Sequence, residues 1–301
     1  MGETGRGIAA MVSACVIWGL SPLFYKLLSH IPPSEVLAHR TIWSFVFFGC
    51  VLLVQGRIRL IKENLSTARA TALTLAAALA ISTNWFLFIT SITIGRAVEA
   101  SLGYYIFPLV AVLFGMIFFG ERLTRAQMIA VALATLAVVG LTVALRAPPW
   151  ISLALATSFA IYGAFKKQTA TGPVVSVTSE VLLLSPIALG WLFYLWQAQA
   201  MQVTTGADVG LLLFSGPLTG LPLILFSYAS RRVRMATVGL LQYLNPTLQF
   251  LVATLIFLEP FTPAHGVAFG LIWVALAVYS LDGVRRDRAA RRAARAGAPA
   301  A

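Results

Sequence analysis

The sequence predicts an all-α membrane protein of ten transmembrane helices, arranged as two inverted five-helix repeats. Three observations carry that prediction. Of 301 residues, 59% are hydrophobic and only 11% charged, with a mean hydropathy of +0.87. A water-soluble domain carries about 25% charged residues, so this chain lacks the polar side chains to cover a wet surface. Next, the stretch 99–145, which begins EASLGYYIFPL, recurs without a gap 138 residues later at 237–283, which begins TVGLLQYLNPT. Tyr105 falls on Tyr243, Pro108 on Pro246, Glu121 on Glu259 and Thr124 on Thr262. An apolar background yields chance Leu and Ala matches, but it does not place a Pro, a Glu and a Thr in one register. The third observation is the alternation of basic residues along the chain.

A helix needs about 20 apolar residues to cross the bilayer core. Ten runs qualify, at 7–29, 34–54, 71–93, 99–119, 126–145, 149–165, 178–197, 208–230, 236–258 and 264–281, the sixth being short. They are continuous and too long for tilted barrel strands, so they are read as helices. Span 1 carries Ile17-Trp18-Gly19, echoed by Ile161-Tyr162-Gly163 in span 6. Span 2 opens Ser34-Glu35-Val36-Leu37, matched by Ser179-Glu180-Val181-Leu182 in span 7. The repeat therefore covers both halves: 1–145 with spans 1–5, 146–282 with spans 6–10, and a basic tail at 283–301. Five is odd, so the second half enters the membrane from the other side, as in inverted-repeat transporters.

Spans 4 and 9 end at Glu121 and Glu259. A carboxylate opposes the dipole at a helix C-terminus, so each is expected to pair or to cap nearby backbone. Span 8 holds Gly216, Pro217, Gly220 and Pro222, which predicts a broken helix. Such a break either lines a central site or marks a kink with a close Gly216-x-x-x-Gly220 approach. Ala126, Ala130, Ala134 and Ala137 in span 5, with Gly266 and Gly270 in span 10, form small-residue stripes suited to close packing or to a homodimer.

Orientation follows from Lys and Arg. With the N-terminus inside, eighteen of the 22 basic residues fall in inside segments, and only Arg96 and Arg146 fall in outside loops. Lys26 and Arg40 lie within spans. This is a strong positive-inside pattern, with both termini cytoplasmic. The net charge of +12 is accordingly assigned to anionic lipid at the basic loops and tail, and no nucleic-acid partner is expected. Cys15 and Cys50 sit in apolar runs and imply no disulfide. The first apolar run lacks a clear cleavage site and is read as a span, not a signal peptide.

Ionisable groups within spans are costly and usually functional. Here they are Lys26, Glu35, His39, Arg40, Glu99 and Glu180. Glu35 and His39, four apart on one helix face, are candidates for proton coupling or gating, together with Glu180. The competing reading is an ion-pair cluster of Lys26, Glu35, Arg40 and Glu99 at the outer rim. Deeper in the spans lie Asn84 and Trp85, Tyr104 and Tyr105, and Gln242, Tyr243 and Asn245. An unpaired amide in hydrocarbon is costly, so these groups face either a cavity or another helix. Trp85 taken alone fits lipid or core packing. The chain shows no phosphate-binding loop, no H-E-x-x-H and no nucleophile elbow, so neither an enzyme, a cofactor nor a metal is expected.

EVLAHR in span 2, the Asn84-Trp85 pair, EASLGYYIFPL, GERLTRAQ and LQYLNPTLQF resemble the RarD-like members of the EamA-type transporters, in the drug/metabolite transporter superfamily. The resemblance spans roughly residues 7–282. It implies the ten-helix inverted-repeat fold of that superfamily in a bacterial inner membrane. It also implies a central cavity lined by spans 3, 4, 8 and 9, which raises Trp85 to a substrate candidate beside Asn84, Tyr104, Tyr105, Gln242, Tyr243 and Asn245. RarD-like proteins are associated with chloramphenicol sensitivity or resistance. The expected function is a secondary transporter exporting a small amphipathic metabolite or drug. The alternatives are an uncoupled channel or facilitator and, from another class, a membrane sensor or enzyme.

Overall fold

A computed structural model of the chain describes residues 2–146, 148–169 and 171–296. Among them the regular structure is entirely helical. The first half contains α1 (Glu3–Leu27), α2 (Pro33–Val54), the short α3 (Arg59–Asn64), α4 (Ala68–Thr93), α5 (Ala97–Phe119) and α6 (Arg125–Leu145). The second contains α7 (Trp150–Lys166), α8 (Pro173–Gln197), α9 (Gly206–Ser230), α10 (Met235–Gln242), α11 (Leu244–Leu251) with a π-helical turn at Val252–Ile256, and α12 (Pro263–Ala296).

Eight of these helices are long and apolar enough to cross a membrane. The predicted ten differ from that in two places. Span 6 is α7, with 17 residues. Span 9 is segmented: α10 stops at Gln242, α11 starts at Leu244, and a π turn follows. Pro246 cannot donate to the Gln242 carbonyl four residues back, and its ring crowds that carbonyl, so a break at Tyr243 has a local cause. The predicted break in span 8 does not occur. α9 runs unbroken through Pro217 and Pro222, because α2 clasps it at the two glycines. A Cβ on Gly216 would lie 2.4 Å from the Trp43 carbonyl oxygen, and one on Gly220 2.4 Å from the Phe47 ring. Gly216, Pro217, Gly220 and Pro222 thus form a packing seam rather than a helix break.

Large apolar side chains point outward around the bundle, among them Ile117, Phe118, Val143, Trp196 and Val267. Such a surface belongs in lipid. Inside, α5 packs on α7, α6 on α12, α2 on both α8 and α9, α1 on α9 and α11, α4 on α7 and α8, and α5 on α11. Ala130, Ala134 and Ala137 of α6 and Ala268 and Ala275 of α12 are buried, so the alanine stripe packs helix on helix. A Cβ on Gly266 would meet the Phe261 ring in ordinary contact at 3.7 Å and one on Gly270 would meet nothing within 4 Å, so neither is clasped. α12 continues past its predicted end into the Arg/Ala-rich tail, a composition of strong helix formers; residues 297–301 of that tail lie outside the described residues.

The duplicated turn is built the same way twice. Glu121 N–H donates to the Gly115 carbonyl and Glu259 N–H to the Ala253 carbonyl, 138 residues on. Gly120 and Leu258, likewise 138 apart, are both left-handed, at φ 64° and 55°. Thr124 N–H donates to Gln127 Oε1 and Thr262 N–H to His265 Nδ1, so His265 caps where Gln127 does.

Candidate functional site

The deep polar residues sort into groups by helix face. Asn84, 1% exposed, sits where α4 meets α7. Its amide donates to the Leu155 carbonyl at 2.9 Å and to Ser158 Oγ at 3.1 Å. Its carbonyl oxygen accepts from the Tyr104 hydroxyl at 3.0 Å. Both amide hydrogens are thereby used, and Asn84 fastens α4, α5 and α7 together. Tyr104 in turn packs edge-on against Phe88 and Phe159. Tyr105, one residue on, points about 100° away. Its hydroxyl bonds Thr247 Oγ1 at 2.6 Å, and its ring meets Phe269 and Trp273 of α12. Tyr104 and Tyr105 therefore line different spaces.

Trp85 lies against a buried cation of α2. The Arg40 guanidinium lies 4.1 Å from its ring centre and 5.7 Å from that of Tyr25. Arg40 Nε donates at 3.0 Å to Thr219 Oγ1, whose own proton goes to the Ser215 carbonyl. No ion pair of the alternative rim cluster forms among the described residues, because its carboxylates are held by other groups. Both oxygens of fully buried Glu35 accept from the Gln202 backbone N–H, at 3.1 and 3.2 Å. Glu99 pairs with Arg96 at 3.1 Å. Lys26 lies over the Phe257 ring. Glu35 and Arg40 share α2 but meet different partners, and Lys26 and Glu99 lie on α1 and α5.

Glu35 and His39 share a helix face, yet no hydrogen bond joins them among the described residues; His39 Nε2 is buried without a partner. Glu180, the counterpart of Glu35, accepts from Lys166 Nζ at 2.8 Å, Ser176 Oγ at 3.1 Å and the Tyr162 hydroxyl at 3.3 Å. Around the break in span 9, Gln242 is exposed, and Tyr243 and Asn245 are half-buried. Asn245 Oδ1 accepts from Gln249 Nε2 at 3.0 Å. A cavity of about 710 Å³ opens between α2, α3 and α8 and is lined by Phe45, Cys50, Leu53 and Ile61. It shares no residue with the group around Arg40.

Two carboxylates of the duplicated turn differ. Glu259 accepts from the Ala97 and Val98 backbone N–H groups, both at 2.8 Å, closing the N-terminus of α5. Glu121 instead pairs with Lys167 on the surface. Residues 5–143 match the EamA-like transporter family. A RarD protein of Streptomyces exfoliatus is 42% identical over 299 residues, which is 99% of this chain and 95% of that one. The chain belongs to the RarD group of EamA-type transporters. The uncharacterized transporter YojE of Bacillus subtilis is 37% identical over 96% of this chain and 98% of its own length. A crystal structure 19% identical superposes with a TM-score of 0.62, over 92% of this chain and 98% of the other, a likeness of fold alone. In this RarD-type protein the interior residue that the sequence reading passed over is Thr219, while Arg40, named among the in-span ionisable groups, was placed in the rim cluster and not beside Trp85. The signal for Arg40 was present, since it and Lys26 are the two of 22 basic residues outside loops and tail.

Proposed function

We propose that two five-helix halves, inserted in opposite senses, rock about a shared pocket and open one mouth at a time, exporting a small amphipathic metabolite or drug across the bacterial inner membrane. One observation carries this reading: exchanging the halves span for span maps the largest helix contacts onto one another. α1 on α9 and α11 corresponds to α7 on α4 and α5, and α2 on α9 corresponds to α8 on α4. α2 with α8, α5 with α11 and α6 with α12 are each their own counterparts. The duplicated carboxylates then stand at opposite ends of the bundle in different states, one gripping a helix N-terminus and the other on the surface. This supports a conformation latched at one end and released at the other.

The latched end is the one the basic residues predict to face outward. Glu35 on the Gln202 N–H and His30 on Asp208 fasten the same end. With the positive-inside pattern, that reading keeps both termini cytoplasmic. An uncoupled facilitator is favoured over proton antiport by one feature: the oxygens of Glu35 and Glu180 are already held by backbone N–H, Lys166, Ser176 and Tyr162. The test is counterflow in proteoliposomes with the purified chain. Saturable flux, accelerated by substrate on the far side and directed outward in cells, is expected. A non-saturating leak overturns alternating access, and a dependence on an imposed pH gradient restores antiport.

A further inference from the structure

Arg40 is 7% exposed, in a span, with no ion-pair partner among the described residues. An arginine keeps its charge throughout the physiological range and offers five N–H donors in a planar fork. Here Nε reaches Thr219, and the terminal N–H groups make no hydrogen bond among the described residues. The faces of Trp85 and Tyr25 offset part of the charge, but a ring face supplies no acceptor for an N–H fork. One turn along the same face of α2, Ser44 is fully buried, and its hydroxyl has no partner. Beside them runs a row of rings: Tyr25 meets Phe88 at 5.8 Å, and Phe88 meets Tyr104 at 5.8 Å.

We propose that Arg40 is the anion anchor of the pocket and that the transported molecule is an organic monocarboxylate. Its carboxylate is held fork to fork by the terminal N–H groups, with Ser44 as a further donor, and its apolar body lies along the rings of Tyr25, Trp85 and Tyr104. This inference rests on the transporter reading above and names its substrate class. Arg40 is buried without an ion pair among the described residues, whereas Lys26 is exposed, and one buried positive charge balances a monoanion. A phosphate would call for a second cation, but Lys166 is held by Glu180 and Lys26 is turned to Phe257. An amino acid would call for a free carboxylate to meet its ammonium group, but Glu35 and Glu180 are engaged and Glu99 is paired with Arg96.

The test is a thermal-shift titration of the detergent-solubilised full chain with phenylacetate and hexanoate against their neutral amides, phenylacetamide and hexanamide. Phenyl phosphate and phenylalanine complete the set. The acids raise the melting temperature and the amides do not. Arg40→Gln weakens acid binding about thirtyfold or more, since truncating one partner of a buried charge pair has a large effect, and Arg40→Lys falls between. Amides binding as well as acids, no stabilisation by either acid, or tighter binding of phenyl phosphate or phenylalanine overturns the assignment. If Arg40→Gln does not fold, the acid–amide comparison on the unaltered protein decides. Flux in liposomes separates the two claims. Acids that bind through Arg40 but are not carried count against the transporter reading alone, and flux of neutral solutes only counts against the anion anchor alone.

Discussion

At the scale of the residue, Asn84 shows how far a polar side chain in a span can be read. Its type and depth mark it as paired or cavity-facing, and three bonds to Leu155, Ser158 and Tyr104 show that it is paired. Asn84→Ala removes all three and leaves the Tyr104 hydroxyl without its acceptor, while the Leu155 carbonyl keeps its bond from Ser158 Oγ. The expected loss of stability in detergent is about 1–3 kcal/mol, an unsatisfied buried group setting the scale. Tyr104→Phe removes one bond, so its loss is expected near 0.6 kcal/mol, the average for interhelical bonds in membranes. Reversible unfolding in denaturing detergent ranks the two, and equal losses would show that Asn84 does not fasten these helices. The adjacent Tyr104 and Tyr105 were grouped by sequence position, although the helical period already separates them by about 100°. Arg40 was grouped by depth with Lys26, Glu35 and Glu99. The rotation of α2 about its own axis, which carries Arg40 onto Trp85, depends on neighbours that no single run of residues records. Leu258 is a smaller case. It is 77% exposed and left-handed where its counterpart is Gly120, a conformation that costs a non-glycine residue roughly 1–2 kcal/mol. Leu258→Gly relieves that strain at the expense of a freer unfolded chain. A net gain of up to about 1 kcal/mol is expected in the same unfolding assay, and a loss would mean that Leu258 holds the turn by contacts.

At the scale of the element, the spans were legible because continuous apolar runs have only one way to satisfy their backbone in lipid. The interruption was harder to place. Two prolines in α9 outvote one in span 9 by local chemistry, yet α9 stays whole and span 9 breaks at Tyr243. A proline removes one hydrogen bond wherever it sits; the outcome depends on whether a neighbouring helix holds the two flanking turns in line. The backbone of α2 does so at Gly216. Gly216→Ala is therefore expected to drive α2 and α9 apart, since its Cβ would meet the immobile Trp43 carbonyl at 2.4 Å. Gly220→Ala meets a movable Phe47 ring and is expected to be milder. Gly270→Ala meets nothing within 4 Å and is expected to be neutral or to stabilise by up to about 1 kcal/mol through helix propensity. Yield of monodisperse protein and melting temperature check this order. A Gly216→Ala chain as stable as the unaltered one would show that the seam is not tight.

At the scale of the whole molecule, the proposed exchange of halves assigns opposite duties to Glu121 and Glu259. Glu259 caps Ala97 and Val98. The same register, 138 residues on, assigns to Glu121 the amides of residues 235 and 236, where α10 begins. The proposed opposite state is the one in which Glu121 takes those amides and Glu259 lets go. Glu259→Gln replaces a charge-assisted cap by a weaker neutral one. A hydrogen bond to a charged group is worth about 1.5–3 kcal/mol, so losing most of one shifts a two-state population by about tenfold to a hundredfold. A cysteine at Ser101, fully buried in the first turns of α5, reports that end in a background lacking Cys15 and Cys50. Glu259→Gln is expected to speed its reaction with a membrane-impermeant maleimide added outside cells. Glu121→Gln weakens the latch of the other state and is expected to slow that reaction. Opposite effects from two chemically identical substitutions, one in each half, have no source in a static bundle. If both substitutions moved labelling the same way, the carboxylates would be ordinary caps, and the two halves would not trade places.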